Sequence, residues 1–307
     1  MDLMDKRFDR VVIWGYPLHS HTHSYIHHAF KKAFERLGYR TAWHTDNDDV
    51  DGEDFGRTLF MATGEQEHKI PLNPSSYYVL HNVDVRKYIE HGCKVLVIQT
   101  HTNLPVETES DTRFNAYTLL ARHDEADCLY FPWATDLLPA QIEVNAYFSS
   151  TKDRYCVWVG TFGDSKGKFQ NGTELNPYME EARKYGIRTV FIDPWGKPVS
   201  FEENRRLVKN AFLAPAIQGP WQIEVNYIPC RIFKNISYGG LGITNNPGVN
   251  ALFGNRLVCD RDPVQLFYKS VEKADVPDIE EIRFLRNEVR VKHTFVNRIS
   301  DILACLP

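Results

Sequence analysis

The feature that most constrains the fold is an alternation of apolar strands and amphipathic helices that occurs twice along the chain. Residues 10–16 form an apolar run that reaches Gly15, and residues 24–39 then carry apolar side chains at helical spacing as far as Gly38. A glycine ends a helix well because it adopts positive φ without strain. Residues 41–46 resume a strand pattern. Strand, helix and strand in this order predict a Rossmann-like unit with a parallel sheet.

The same alternation continues to the C-terminus and predicts α/β structure throughout. Further strands are predicted at 77–82, 94–101, 128–136, 155–161, 188–193, 212–217 and 241–246, with helices at 85–92, 176–187, 200–211 and 228–239. A polar segment at 149–154 separates the two halves, so we expect an N-terminal domain over residues 1–150 and a C-terminal domain over 151–307. Residues 278–306 predict one C-terminal helix, which has the length to pack across both halves.

Charge and composition exclude several classes of protein. Lys and Arg number 36 against 40 Asp and Glu, and this net charge of −4 argues against a broadly basic surface that binds nucleic acid. No apolar run approaches the roughly 20 residues that span a bilayer, and the charged N-terminus lacks the apolar stretch of a signal peptide. We therefore expect a cytoplasmic protein without a transmembrane segment. The 6 cysteines form no Cys-x-x-Cys pair, so no zinc knuckle or disulfide framework is predicted.

Two stretches of the second half have the composition of a phosphate site. Arg231 and Lys234 lie three apart near the start of a predicted helix, where the helix N-terminus and two cations favour a diphosphate. A solvated basic helix face is the alternative. The loop 159–177 contains four glycines and two lysines, a composition that suits phosphate binding by backbone amides. A mobile surface loop is the alternative there.

The segment 231–246 resembles the donor-site helix of GT-B glycosyltransferases, especially the CgeB-like glycosyltransferase family 1 group. Four residues carry this resemblance: Arg231, Phe233, Lys234 and Gly239. The segment 292–303 resembles a His-Thr-Tyr-x-x-Arg segment in the C-terminal helix of the same group, through His293, Thr294, Phe295, Asn297 and Arg298. Both motifs keep the order and separation of the group. They cover the C-terminal third, whereas the N-terminal half matches only in its Rossmann-like pattern.

The sequence departs from this group at two acidic positions. Lys234 stands where the group usually has the Glu that holds the donor ribose, and Asn226 stands where retaining relatives have the first Glu of a Glu-x7-Glu pair. Ribose recognition by that Glu and a retaining mechanism are therefore not implied. A lysine would instead neutralise phosphate charge directly.

The resemblance implies two facing Rossmann-like domains and transfer of a sugar from a nucleotide-diphosphate donor, with a UDP-sugar favoured, to a hydroxyl of a glycan or another acceptor. No cofactor or metal is expected. The residues expected to bind the donor are Gly160, Thr161, Gly163, Ile217, Gln218, Tyr227, Arg231, Lys234 and Asn235. Among them Ile217 and Gln218 would meet the nucleotide base, flanked by Tyr227 or Trp221, although burial in the core is the alternative for Ile217 and Trp221. The residues expected to bind the acceptor are His19, Trp133 and Asp136, with a packed turn as the alternative for the last two.

Three histidines, His19, His21 and His23, alternate in the loop after the first strand. An imidazole with a pKa near neutrality can take a proton from a sugar hydroxyl. By resemblance this loop supplies the general base of a GT-B enzyme, so we expect His21 or His23 in that role. His21 is preferred because it lies further from the start of the predicted helix.

Two metal-dependent alternatives remain at this stage. The His-x-His string also resembles PHP-type metal phosphoesterases, whose ligands here would be His19, His21, His81 and His101. Pro17 occupies the position where that family usually has an Asp. Asp46 and Asp48 resemble the Asp-x-Asp metal motif of GT-A glycosyltransferases, but the acidic run continues to Asp54 and favours a solvated loop.

Overall fold

A computed structural model gives the fold and describes residues 5–101, 119–123, 126–145, 153–163, 170–194, 196 and 198–307. The chain divides into two compact units. The first unit comprises Met1–Pro132 together with Phe295–Pro307, and the second comprises Trp133–Thr294. Among the described residues, no helix has both the length and the apolar character needed to cross a membrane.

The described strands of the first unit form a seven-stranded sheet. In chain order its strands are β1 (Arg10–Trp14), β2 (Thr41–His44), β3 (Thr58–Thr63), β4 (Tyr77–His81), β5 (Lys94–Gln99), β6 (Leu119–His123) and β7 (Ala126–Tyr130). The spatial order is β2-β1-β3-β4-β5-β7-β6, and every pair is parallel except β6 with β7. Strands β3 and β4 are buried along their whole length, as expected for central strands of a parallel sheet.

Among the described residues of the first unit there are three helices: α1 (Thr22–Arg36), α2 (Arg86–Glu90) and α10 (Phe295–Cys305). Helix α1 ends where Gly38 adopts a φ of 94°, so the predicted stop is confirmed. Its apolar face packs on α10, where the rings of Phe30 and Phe295 lie 4.6 Å apart. The C-terminal helix α10 is therefore part of the core of this unit.

In the second unit, the described residues form five short parallel strands in two groups. They are β8 (Asp153–Val159), β9 (Arg188–Ile192), β10 (Ala211–Leu213), β11 (Ile243–Thr244) and β12 (Val258–Cys259). The first three pair in the order β10-β8-β9, and β11 pairs with β12. A parallel bridge from Ala216 to Thr244 joins the two groups, which gives the order β12-β11-β10-β8-β9.

The described part of this unit also contains seven α-helices. They are α3 (Asn171–Lys184), α4 (Phe201–Asn210), α5 (Pro220–Glu224), α6 (Cys230–Ser237), α7 (Pro247–Leu252), α8 (Pro263–Asp275) and α9 (Ile279–Lys292). Ser200 caps α4 by accepting a hydrogen bond from the Glu203 amide (3.1 Å), so the predicted N-cap is confirmed. Helix α6 is followed by Gly239 with a φ of 103°, as its sequence predicts.

The boundary between the units differs from the position expected from the polar segment 149–154. The second unit begins at Trp133, because Leu137 and Ile142 pack in one apolar cluster with Val157. Residues 146–152, which include most of the polar segment, lie outside the described part of the chain. Burial of two apolar side chains thus decides where the second unit starts.

The C-terminal segment forms two helices instead of the single helix that the sequence predicts. Helix α9 ends before His293, whose φ of −128° and ψ of 41° are not helical. The His293 ring stacks on Phe233 at 4.7 Å, and Thr294 forms a parallel bridge with Thr135. These contacts interrupt the helix, so that α9 belongs to the second unit and α10 to the first.

In each sheet there are two neighbouring parallel strands from which the chain leads away in opposite directions along the sheet. This switch point lies between β1 and β3 in the first unit, and between β8 and β10 in the second. Open α/β sheets bind ligands outside the carboxyl ends of the strands at such a point. The switch points therefore locate one candidate region in each unit.

Candidate functional site

Arg231 lies at the switch point of the second unit and joins the two strand ends that flank it. Its Nε donates to the carbonyl oxygen of Val159 at the end of β8 (2.9 Å), and its Nη1 donates to that of Ile217 beyond β10 (3.0 Å). The guanidinium carbon lies 4.1 Å from the centre of the Trp158 ring. Burial lowers the pKa of Arg231 to about 10, so the side chain stays protonated at neutral pH. The geometry fixes a positive charge at the carboxyl edge of the sheet.

Gly160 lies directly against this guanidinium. A Cβ atom at Gly160 would come within 2.0 Å of Nη2 of Arg231, so no other residue fits without moving the arginine. Within the described part of the chain, Nη2 is the one guanidinium nitrogen of Arg231 for which no hydrogen bond is found. The amide of Gly160 donates to the carbonyl oxygen of Ile192 (3.0 Å) and is thereby occupied. The nitrogen available to an anion is therefore Nη2 of Arg231.

The start of the glycine-containing loop is held against the beginning of α3. The carbonyl oxygen of Thr161 accepts from Nδ2 of Asn171 (2.8 Å), and the amide of Gly172 donates to the carbonyl oxygen of Phe162 (3.0 Å). Gly163 is exposed. The lysines of the loop, Lys166 and Lys168, and also Gly167, lie outside the described residues. The described part of this loop is thus anchored by hydrogen bonds to α3.

Ile217 and Gln218, which the sequence places at the nucleotide base, have buried side chains. Ile217 is fully buried. The amide of Gln218 is engaged at both ends, because its Nε2 donates to the carbonyl oxygen of Tyr227 (2.6 Å) and its Oε1 accepts from Nδ2 of Asn246 (3.1 Å). Neither side chain offers an exposed group to a ligand in this arrangement.

Asparagines that sequence reasoning missed hold the loops of this edge in place. Asn245 accepts from the amide of Gln218 (2.9 Å) through Oδ1 and donates to its carbonyl oxygen (2.8 Å) through Nδ2. Asn171 accepts from the amide of Gly219 (2.8 Å). The available signal was the Asn-Asn pair at the end of the strand predicted over 241–246, since such side chains satisfy backbone groups of neighbouring loops.

Lys234 meets a buried carboxylate one turn along α6 from Arg231. Its Nζ lies 3.7 Å from Oδ1 of Asp136, a residue that is 6% exposed. The hydroxyl of Tyr238 donates to the same oxygen. Burial, with a further contribution from Asp136, raises the pKa of Tyr238 well above its ordinary value, so the phenol stays protonated. The charge of Lys234 is therefore largely balanced by Asp136.

Asp136 and Trp133, expected to bind the acceptor in the first domain, both belong to the second unit. Trp133 is buried and hydrogen-bonds the side chain of Tyr227, whose pKa is raised by burial. Asn235, expected at the donor, is also buried and donates to the carbonyl oxygen of Ala214 (2.8 Å). These contacts tie α6 and its neighbouring loops to the sheet.

In the first unit, the loop after β1 places His21 at the N-cap of α1. Its Nδ1 accepts a hydrogen bond from the amide of His23 (3.1 Å), and its ring stacks on Tyr16 at 3.9 Å. Burial lowers the pKa of His21, and the charge of Glu65 partly offsets this shift. In the neutral ring Nδ1 is then the acceptor and Nε2 carries the hydrogen. The Nδ1 lone pair, with which His21 would accept a proton as a general base, therefore already accepts a hydrogen bond from the His23 amide.

His23 is the better placed of the two candidate bases. Its Nδ1 lies 3.1 Å from Oγ1 of Thr63, the last residue of β3. Burial, followed by the neighbouring histidines beginning with His81, lowers the pKa of His23 well below its ordinary value, so the ring is neutral at pH 7. The tautomer in which Nδ1 donates to Thr63 leaves the Nε2 lone pair for a substrate hydroxyl. The hydrogen bonds of the two rings therefore favour His23 as the candidate base, whereas the sequence favours His21.

His19 stands apart from this arrangement. It is exposed, adopts a φ of 71°, and its Nδ1 lies 3.3 Å from the hydroxyl of Tyr25. Positive φ is uncommon outside glycine, and histidine is among the residues that tolerate it in turns. His19 therefore shapes the loop that leads into α1.

The phosphoesterase alternative finds no metal site in the described structure. Nδ1 of His81 donates to the carbonyl oxygen of Ile98 (3.0 Å), and its Nε2 accepts from Nδ2 of Asn82 (3.2 Å), so both ring nitrogens are occupied. Over the described ranges, no group of three or more His, Cys, Asp or Glu side chains is arranged to hold a metal ion. The four histidines named for that alternative do not form a ligand set here.

The two acids of the Asp-x-Asp motif bind the chain itself. Asp46 accepts from Nε1 of Trp14 (2.9 Å) and from the amides of His68 (3.0 Å) and Lys69 (3.1 Å). Burial raises the pKa of Asp46, but these hydrogen bonds outweigh it and the net pKa is lowered. Asp48 accepts from the amide of Thr45 (2.7 Å). Both carboxylates thus stabilise the loop after β2.

Comparisons with known proteins bear on the fold. No protein-family model matches the sequence, and no curated protein matches it either. Among solved structures, an alpha-glucosyltransferase in complex with UDP and a 13-mer DNA that contains a central A:G mismatch is similar with a TM-score of 0.58 and 9% identity, over 96% of this chain and 99% of that chain. T4 phage BGT in complex with its UDP-glucose substrate is similar with a TM-score of 0.53 and 13% identity, over 92% and 96%.

These similarities show the fold, which is the mixed α/β fold of GT-B glycosyltransferases that the sequence predicts. At such low identity they do not place the chain in the CgeB-like group. The first of the two structures contains DNA, so the expectation that this chain does not bind nucleic acid has no support from its structural neighbours.

Proposed function

We propose that the chain is a glycosyltransferase that moves a sugar from a nucleoside-diphosphate donor to a hydroxyl group. One observation carries this proposal. Within a GT-B fold, Arg231 is held by two carbonyl oxygens at the switch point of the second unit, and its Nη2 remains for an anion. Ligands of α/β sheets bind at such an edge, and arginine is well suited to phosphate oxygens.

Arg231 would act on the leaving group. In the transfer, the bond from the anomeric carbon to the diphosphate oxygen breaks, and the bond to the acceptor oxygen forms. Negative charge then grows on the diphosphate, and a fixed guanidinium stabilises this charge without reorganising. Lys234 is a weaker candidate for the same role because Asp136 balances its charge. We therefore assign the phosphate contact to Arg231 and a positioning role to Lys234.

His23 is our candidate for the general base. The acceptor hydroxyl would transfer its proton to Nε2, with the ring oriented by Thr63. A base that deprotonates the acceptor hydroxyl is needed when this hydroxyl displaces the diphosphate directly, and direct displacement inverts the configuration at the anomeric carbon. The absence of both acids of the Glu-x7-Glu pair, at Asn226 and Lys234, supports this choice over a retaining mechanism.

UDP is the nucleotide that we favour, because UDP and UDP-glucose are bound in the similar structures. We propose a glycan or another hydroxyl compound as the acceptor. A hydroxyl group on DNA is the second candidate, since one of the similar structures contains a 13-mer DNA. The net charge of −4 favours the first candidate.

Calorimetric titration of the full chain with UDP tests the proposal, followed by an assay for UDP release from UDP-sugars. Replacing Arg231 with alanine should weaken UDP binding by about 1.5–3 kcal/mol, which is roughly 10-fold to 150-fold. Arg206→Ala is the matched control, because Arg206 is exposed and pairs with Glu203 on the surface of the same unit. A protein that binds no nucleoside diphosphate, or a folded Arg231→Ala variant with unchanged affinity, would contradict the proposal.

A further inference from the structure

A cavity of about 300 Å³ opens at the carboxyl ends of β8 and β9, and none of the roles assigned above uses it. Its walls combine aromatic rings with polar side chains. They are formed by Trp158, Gly160, Phe162, Asn176, Arg183, Phe191, Ile192 and Asp193. The mixture of exposed rings with an amide, a cation and a carboxylate suits a planar ligand that has hydrogen-bonding edges.

Two phenylalanines expose their rings at this cavity. Phe162 is 40% exposed and Phe191 is 38% exposed, and their ring centres lie 6.1 Å apart with the planes at 78°. Gly172 leaves room for the first ring, because a Cβ there would come within 2.4 Å of Cε1 of Phe162. Exposed aromatic rings provide a surface on which a base can stack.

The cavity adjoins the guanidinium assigned to the diphosphate. Gly160 lines the cavity and lies directly against Nη2 of Arg231. Trp158 lines the cavity as well, and the guanidinium carbon of Arg231 lies 4.1 Å from the centre of the Trp158 ring. A ligand with its ring in the cavity would therefore have its next groups beside Arg231. A nucleoside diphosphate has this order of parts: base, ribose and diphosphate.

We propose that this cavity binds the nucleobase of the donor, by stacking on Phe191 with the Phe162 ring beside the base and the base edge facing Asn176, Arg183 and Asp193. The inference rests on the proposed function, since it concerns the donor of that reaction. It differs from the expectation drawn from the sequence, which places the base at Ile217 and Gln218. Those side chains are buried and internally bonded, whereas the rings of the cavity are exposed.

The test compares two probes on the full chain, UDP and inorganic diphosphate. Replacing Phe191 with alanine should weaken UDP binding by about 5-fold to 150-fold, the range found when a ring that stacks on a base is removed. The affinity for inorganic diphosphate should stay unchanged, because that probe has no base. Phe191→Tyr keeps the ring and should restore UDP binding. Tyr185→Ala is the matched control, since Tyr185 is 49% exposed in the same unit and does not line the cavity.

The outcomes separate this inference from the proposed function. Wild-type affinity for UDP in both Phe191→Ala and Phe162→Ala would overturn the base assignment and leave the glycosyltransferase proposal standing. Equal weakening of UDP and inorganic diphosphate would also overturn it, because the ring would then act on the phosphate site. A wild-type protein that binds neither UDP nor ADP or GDP would overturn both. Selective loss of UDP binding, repaired by tyrosine, supports the assignment.

Discussion

Replacing Gly160 with alanine tests whether the Arg231 guanidinium depends on a bare backbone beside it. The new Cβ would lie 2.0 Å from Nη2, 2.9 Å from Cζ and 3.2 Å from Nε of Arg231. The first two contacts are shorter than real Cβ contacts, so the guanidinium has to leave. Its hydrogen bonds to the carbonyl oxygens of Val159 and Ile217 are then lost together with its stacking on Trp158.

The size of the effect follows from those lost contacts. A hydrogen bond to a charged group contributes about 1.5–3 kcal/mol, and the lower figure applies because Arg231 is partly exposed and water replaces some of the loss. Two such bonds give roughly 3 kcal/mol of destabilisation. In a unit of this size that lowers Tm by about 6–12 °C. Affinity for UDP should fall as well, because the displaced cation no longer meets the diphosphate.

Thermal unfolding followed by circular dichroism measures the effect in a double-mutant cycle with Arg231→Ala. The φ of 157° at Gly160 adds a backbone cost that is the same in both backgrounds, so the cycle isolates the clash. Gly196→Ala is the control, because among the described residues the nearest atom to its Cβ would be Oδ2 of Asp193 at 4.0 Å. If Gly160→Ala costs as much without the arginine as with it, the backbone causes the loss and the reasoning fails.

Three further predictions concern the base, metals and pH. His23→Ala should reduce the transfer rate by about 10²–10⁴ without changing the affinity for UDP, and His21→Ala should reduce the rate less. A rate assay in which His21→Ala has the larger effect would identify His21 as the base. Excess chelator should leave transfer unchanged, and a loss that manganese or magnesium repairs would contradict metal independence. Burial lowers the pKa of His27 to about 3 and that of His81 to about 4, so the unfolded chain binds more protons as the pH falls below about 6.5. Stability present above pH 6.5 should therefore decrease by roughly 1.4 kcal/mol per pH unit for each ring down to its folded pKa. Urea unfolding at pH 7 and pH 5 measures this slope, and His27→Gln should lower it by the share of one ring, roughly 1.4 kcal/mol per pH unit.

Elements with strong local signals could be predicted from the sequence. Strand β1, helix α1 with its Gly38 stop, and helix α4 with its Ser200 cap follow from apolar spacing and terminal residues, and the structure has them. Helix α3 begins at Asn171, earlier than predicted, and continues through Pro177. Burial of Leu175 and Tyr178 in the core outweighs the hydrogen bond that a proline removes.

The parts that could not be predicted depend on contacts between residues distant in sequence. Strand β3 was not predicted, although it supplies Thr63 to the candidate base. The arginine of α6 was predicted as a phosphate ligand, but its attachment to two strand ends and to Gly160 required the folded chain. The pairing of Lys234 with Asp136 joins residues almost a hundred positions apart, and neither local spacing nor composition signals it.

The order of synthesis has a consequence for how the chain matures, because the first unit is discontinuous. Its last helix, α10, follows the whole second unit in the sequence, and Phe30 of α1 packs against Phe295 of that helix. The second unit, Trp133–Thr294, is continuous and emerges complete before α10 does. Domains generally fold as units during synthesis. We therefore expect the second unit to fold first, although it comes later in the sequence, and the first unit to keep an apolar surface uncovered until α10 is made. A nascent chain stalled before Phe295 should accordingly be bound by chaperones through its N-terminal part.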